Sequence, residues 1–284
     1  MFDSPGTAPA SPVSRFVRRR RWSLCLVGAA AVSLASGLWL VSQRLGHPAF
    51  LSGGTLFACL LLLPLIGLRR RFPMLPLGTM STWVQVHLYT GLFALVAYLL
   101  HVPRVVADGI FEGGLSWLFL GVSASGFYGL FVSRTAPRRL TAVPGNYRFG
   151  QIGWHRQRIA ELASGMLHDL QSTPAAEVLG TFYQENLHPF FTSRPGFAYV
   201  ALPTGTRRRR LLAGLGRIDR YLEADTQQAA GRLAALIRMR DDLDYHFALQ
   251  LRLRLWVVFH AVLSLALLLA STVHLLLVLR FAGH

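Results

Sequence analysis

Four histidines lie inside otherwise apolar stretches of the chain, His87 and His101 in one, His260 and His274 in another. Both pairs have the same spacing of fourteen residues. On a helix this is nearly four turns, so the members of a pair face within roughly 40° of each other and stand about 21 Å apart along the axis. Neutral imidazole suits the two axial positions that an iron porphyrin leaves open above and below its plane. Two such helices side by side offer two bis-histidine haem sites stacked across a membrane, His87 with His260 and His101 with His274. With both axial positions filled there is no open coordination site for oxygen or substrate. The chemistry expected is one-electron transfer, tuned by burial and by hydrogen bonds to the ligands.

These histidines need elements that hold them at matching depth. Five apolar segments, 22–42, 49–68, 82–103, 115–132 and 255–279, contain no Asp, Glu, Lys or Arg. Each approaches the roughly 20 residues that cross the hydrocarbon of a bilayer. Pro64 interrupts the second, which a membrane helix tolerates as a kink when neighbours satisfy the freed carbonyl. Arg15 and Arg18 to Arg21, Arg69 to Arg71, and Arg134, Arg138 and Arg139 flank one side of the segments; Arg44, Arg104 and Arg280 flank the other. Short loops rich in positive charge stay in the cytoplasm, which places the amino terminus inside and the carboxyl terminus outside. The basic start and first apolar run read as a membrane helix rather than a cleaved signal peptide, because the run is longer than a usual signal core. The third and fifth segments then run in the same direction. His87 faces His260 near the inner surface and His101 faces His274 near the outer one.

The fold expected is an all-α integral membrane protein, five transmembrane helices forming a haem-binding bundle, with a helical cytoplasmic insert between the fourth and fifth. The domains are a basic cytoplasmic tail at 1–21, helices one to four at 22–133, the cytoplasmic helical domain at 134–254, and the fifth helix with a short external end at 255–284. Within the insert, 151–171 and 176–187 have helical character, with loops at Pro144-Gly145, Pro195-Gly196 and Pro203 to Gly205. Neither Gly nor Pro occurs from Arg232 to Ala282. The fifth membrane helix is therefore expected to continue into the cytoplasm as a rod.

The insert carries 18 Arg against 10 Asp plus Glu, an excess of eight positive charges. Its densest run, Arg207 to Arg210, suits anionic lipid headgroups or an acidic redox partner at the cytoplasmic face. Nucleic acid is not expected, since a basic face is ordinary for a cytoplasmic membrane domain. Asp241, Asp242, Asp244, Tyr245 and His246 cluster before the fifth segment. Asp242 and His246, one turn apart, suit a metal or a proton relay to a quinone, or simple pairing of the acids with Arg238, Arg240 or Arg252. His155, His168 and His188 show no metal-ligand spacing. The two cysteines, Cys25 and Cys59, both sit in apolar segments. They leave no CxxCH for covalent haem and no thiol set for an iron–sulfur cluster. All 29 basic residues are arginine, a composition expected of a GC-rich bacterial genome and hence of a bacterial inner membrane.

The paired histidines on 82–132 and 255–280 resemble the transmembrane cytochromes whose b-type haems hang between two parallel helices. Two families share that plan: the cytochrome b subunit of quinol-oxidising complexes, and the ferric-reductase-like domain of metalloreductases and NADPH oxidases. In the second the ligands lie on the third and fifth helices, as here. The resemblance implies two haem b groups, an electron-transfer subunit of an oxidoreductase complex, and in the first family a membrane quinone. Two departures stand out. Neither family carries an insert of this length between the equivalent helices, and no flavin or nicotinamide domain follows the fifth segment here, so another protein is expected to handle hydride. Gly91, one turn after His87, and Gly126 and Gly129 in SASGFYG would let a flat macrocycle or another helix approach. Arg104, just past His101, would hold the outer propionates, and Arg252 or Arg254 the inner ones. From a different class, a haem-free membrane anchor or assembly protein would recruit partners through the basic domain. A metal-ion transporter fits less well, since the spans hold no carboxylates.

Overall fold

The structure, a computed structural model, describes residues 12–44, 47–72, 78–102, 104–141, 147–168 and 174–281. Among them every regular element is helical. Five helices are long and apolar enough to cross a membrane: Arg20–Gln43, Pro48–Arg69, Met80–His101, Ile110–Ala136 and Ala224–Phe281. They point large apolar side chains outward, among them Leu26, Trp39, Val258 and Val262. A water-soluble protein rarely exposes so much contiguous apolar surface, whereas a bilayer solvates it. The chain has the makeup of a multi-pass all-α membrane protein in contact with lipid.

Two compact units make up the chain, Met1–Gly126 with His260–His284, and Phe127–Phe259. The first holds α1 (Pro12–Gln43), α2 (Pro48–Leu62), α3 (Leu65–Arg71), α4 (Met80–His101), the start of α5 (Ile110–Thr141) and the end of α11 (Ala224–Phe281). Helix α2 packs on α4, and α1 packs on both. A shared apolar cluster joins Cys59 and Leu60 of α2, Ala94 and Tyr98 of α4, Phe119 of α5 and Leu267 of α11. The Tyr98 ring stacks on Phe119 with centroids 4.2 Å apart. Its hydroxyl donates to the Val105 carbonyl at 2.7 Å, which satisfies the one polar atom that this ring carries into the cluster. Helix α4 starts where Thr79 turns its hydroxyl back to accept from the Thr82 amide at 3.3 Å, satisfying a donor that the first turn leaves orphaned.

The second unit is a helical assembly around the polar half of α11. Its core takes Ile152, Ile159 and Ala163 from α6 (Phe149–His168), Leu179 from α7 (Pro174–Phe182), and Phe190 and Phe191 from α8 (His188–Thr192). Leu211 and Leu215 come from α10 (Thr206–Ile218), and Leu233, Leu236, Ile237 and Leu243 from α11. Each fully buried Leu, Ile or Phe contributes about 1.5–3 kcal/mol relative to exposure. Short α9 (Phe197–Ala201) bridges the loops expected at Pro195-Gly196 and Pro203 to Gly205. The loop expected at Pro144-Gly145 lies outside the described residues. The Gly- and Pro-free run that begins at Arg232 is helical as expected, and α11 starts earlier still, at Ala224.

The segment 176–187 is helical as expected, in two forms: α7 ends at Phe182 and one turn of π-helix, Tyr183–Leu187, follows. There the amide of His188 bonds the Tyr183 carbonyl five residues back. Pro189, next in the chain, has no N–H to give the carbonyl four residues before it, and a widened turn accommodates the mismatch.

Candidate functional site

The first unit brings His87 and His260 together. The rings of His87 on α4 and His260 on α11 lie with centroids 6.4 Å apart and planes at 74°. His101 and His274 lie further along the same two helices, and the His274 ring lies 6.2 Å from that of Phe111. All four side chains are half-buried.

What surrounds each imidazole decides which nitrogen is available. His87 Nδ1 lies 3.0 Å from the Leu63 carbonyl. A carbonyl only accepts, so Nδ1 carries the proton and Nε2 keeps its lone pair. That carbonyl sits at the break between α2 and α3. In an uninterrupted helix Leu63 would accept from Gly67, four residues on. Here the Gly67 amide donates instead to Pro64, at 2.8 Å, and the Leu63 oxygen turns to His87.

His101 is held by serine, its Nδ1 2.9 Å from Ser52 Oγ. That hydroxyl also reaches the Pro48 and Ala49 carbonyls, both at 3.2 Å. When its proton goes to the helix, Ser52 accepts from His101 Nδ1 and Nε2 is the bare nitrogen. A Cβ added to Gly53 would lie 3.0 Å from His101 Cε1, tighter than side chains normally tolerate, so only glycine fits there without a shift. The same dipeptide recurs against His260. Ser125 Oγ lies 3.2 Å from its Nδ1, and a Cβ on Gly126 would meet its Cε1 at 3.7 Å. Two Ser-Gly steps on different helices thus each present a hydroxyl to Nδ1 and a bare Cα to the ring.

Ser52, Gly53, Leu63 and Ser125 were not singled out by the sequence, although the repeated Ser-Gly beside two of the histidine spans was a readable signal. Gly91 faces the Leu63 side chain at ordinary contact distance, a helix-packing role. Gly129 belongs to the second unit, where the Trp256 ring occupies the space that a Cβ would need. Arg104 forms an exposed ion pair with Asp108. Arg252 donates to the Tyr128 hydroxyl at 3.3 Å, and the Arg254 guanidinium sits 4.1 Å over the Phe149 ring.

The acidic cluster resolves into structural ion pairs. Arg240, 1% exposed, pairs with Asp244 one turn along α11 and donates to the Ser193 carbonyl at 2.7 Å. Arg156 of α6 reaches Asp244 at 3.1 Å. Arg208 of α10 reaches Asp241 at 3.5 Å and Asp242 at 3.4 Å, and the Tyr199 hydroxyl donates to Asp241 at 3.4 Å. Burial pushes all three carboxyls above the usual carboxylate range, opposed by Arg208 at Asp241 and Asp242 and by Arg240 and Arg156 at Asp244. Burial and the nearby Asp241 likewise push the Tyr199 phenol up. The pairing with Arg240 was expected; Arg208 and Arg156, from other helices, were not. His246 lies against the Tyr147 ring, with centroids 5.5 Å apart. Among the described residues no group of three or more His, Cys, Asp or Glu side chains is placed to hold a metal ion.

No family model, no curated protein and no solved structure matches the chain. Its function is argued from this site.

Proposed function

We propose that the protein is a membrane di-haem b-type cytochrome. It carries electrons across the bilayer between a cytoplasmic-side redox partner or the quinone pool and a partner outside, as the electron-transfer subunit of an oxidoreductase complex in a bacterial inner membrane. The observation that carries the reading is the His87–His260 pair. Two imidazoles that share one metal through Nε2, at the usual bond length of about 2 Å, hold their ring centres about 6.3 Å apart. The observed separation is 6.4 Å. The rotation between the rings is free in such a pair, since each turns about its own bond to the metal.

The protonation pattern supports the same reading. His87 offers Nε2 because its Nδ1 is committed to the Leu63 carbonyl, and His101 does the same in the tautomer whose Nδ1–H donates to Ser52. An Nδ1 hydrogen bond is the usual way in which a protein fixes a ligand's tautomer and raises its basicity. In this reading His87 and His260 would hold the inner haem, and His101 and His274 the outer. Gly53 and Gly126 keep the edges of the His101 and His260 rings clear, and Ser52 and Ser125 would hold those imidazoles against rotation. Haem bound there would supply a one-electron couple. The ion pair with Asp108 leaves Arg104 a shared role at best toward an outer propionate.

Sealed liposomes carrying the haem-loaded protein, with ferricyanide trapped inside and dithionite outside, test the proposal. The trapped ferricyanide is expected to be reduced far faster than in empty liposomes, and His101→Ala or His274→Ala should remove the difference. A haem-replete protein that transfers electrons no faster than the empty membrane would overturn it.

A further inference from the structure

The second unit presents a basic and apolar surface that the electron-carrying role does not use. Inward residues of two short elements converge on one carboxylate. Tyr199 of α9 donates to Asp241 at 3.4 Å, and Arg208 of α10 pairs with Asp241 and Asp242. Helix α10 buries Leu211 and Leu215 in the core, and the Phe182 ring closes over Gly214. This pinning fixes what points the other way. Phe197 is 84% exposed and Leu202 is 74% exposed, and Arg207, Arg209 and Arg210 are exposed beside them in the chain. Arg207 leans on the Phe190 ring and Ser193. Neither Arg209 nor Arg210 has a carboxylate partner among the ion pairs of the described residues.

We infer that the exposed side of this segment, carrying Phe197 and Leu202 with Arg209 and Arg210, is a docking surface for an anionic lipid bilayer. Two exposed apolar side chains, flanked by guanidiniums, match the boundary between headgroups and acyl chains: apolar tips enter the acyl edge while arginines pair with phosphates. The covalent attachment of this unit to helices built to cross a membrane keeps it from leaving the bilayer's vicinity, so even a weak surface affinity is populated. An acidic protein would satisfy the charges and leave the protruding Phe197 and Leu202 needing a matching pocket. A bilayer needs none. The inference does not rest on the haem reading, because no histidine of the paired sites belongs to this face.

The test uses the full chain in nanodiscs, with a single cysteine at Leu202→Cys carrying an environment-sensitive fluorophore, in a Cys25→Ser, Cys59→Ala background. A label at Val178→Cys serves as a control on another helix. In discs containing phosphatidylglycerol the label at 202 should be quenched by spin-labelled lipid and shielded from aqueous iodide. In phosphatidylcholine discs, and for the label at 178, it should not. Each arginine near an anionic surface is worth about five-fold in binding, so Arg209→Gln with Arg210→Gln should weaken the shielded state about 25-fold. Raised salt should act in the same direction. Equal iodide access in the two lipids overturns the inference. So does shielding that the double variant leaves intact, or shielding produced by polyglutamate and not by phosphatidylglycerol, which would assign the face to an acidic protein instead.

Discussion

A histidine that is to hold haem needs one nitrogen committed and the other bare, and three of the four have a partner at Nδ1. His101 and His260 have serine hydroxyls there, and His87 has the Leu63 carbonyl at the break between α2 and α3. Pro64→Ala gives the Leu60 carbonyl the donor that proline lacks, and is expected to let α2 and α3 run on as one helix, drawing the Leu63 carbonyl back to the Gly67 amide and away from His87. Losing such an outer partner typically costs about 10–100-fold in metal affinity, so haem should be lost selectively from the inner site on dilution, read as a drop from two haems per chain toward one. Unchanged haem retention would show that the Leu63 contact is incidental. Glycine gives a second test at the same scale. Gly53→Ala puts a methyl 3.0 Å from His101 Cε1, whereas the same change at Gly54 meets nothing within 4 Å. The first should shift the spectrum or potential of the outer haem and the second should not, which separates a cradle from general helix packing. The approach of His87 to His260 was legible from spacing and topology together. Ser52, Gly53 and Leu63 were not, because which residues meet His87 and His101 depends on how α2 rotates against α4, and a sequence carries no direct record of rotation.

The elements divide the same way. Spans of about 20 apolar residues and a Gly- and Pro-free run announce helices, since length and composition settle those outright. Breaks inside helical stretches were harder to read. Pro64 was legible as a kink, but the π-turn at Tyr183–Leu187 depends on how Phe190 and Phe191 seat in the core beyond Pro189. The partners of the aspartates on α11 were equally hidden, because Arg156 and Arg208 arrive from 88 and 33 residues earlier in the chain. That network makes a prediction for α11. Arg240→Ala leaves Asp244 buried with Arg156 alone and uncaps the Ser193 carbonyl, and breaking a buried pair in this way costs about 3–5 kcal/mol. Exposed Arg238→Ala should stay within about 0.5 kcal/mol of the parent. Denaturant unfolding in detergent, followed by proteolysis of the Phe127–Phe259 unit, would compare the two. Equal stability would mean that the ion pairs only decorate a core held by Leu233, Ile237 and their neighbours.

At the scale of the whole molecule, the chain combines five helices long and apolar enough to cross a membrane with a second, helical unit. Multi-pass character follows from hydropathy. Redox partners leave no comparable mark, because an encounter surface is made of shape and diffuse charge rather than of spaced ligands. The central claim concerns what the four histidines hold, and one measurement addresses it. Protein expressed with ample haem and purified in detergent would be examined by dithionite-reduced minus oxidised spectra, with haem per chain counted as the pyridine complex. The account predicts two low-spin b haems in the parent and one in either His87→Ala or His101→Ala, with different spectra for the haem that remains. A colourless parent protein would contradict it and leave a haem-free anchor, recruiting partners through its basic unit, as the better reading.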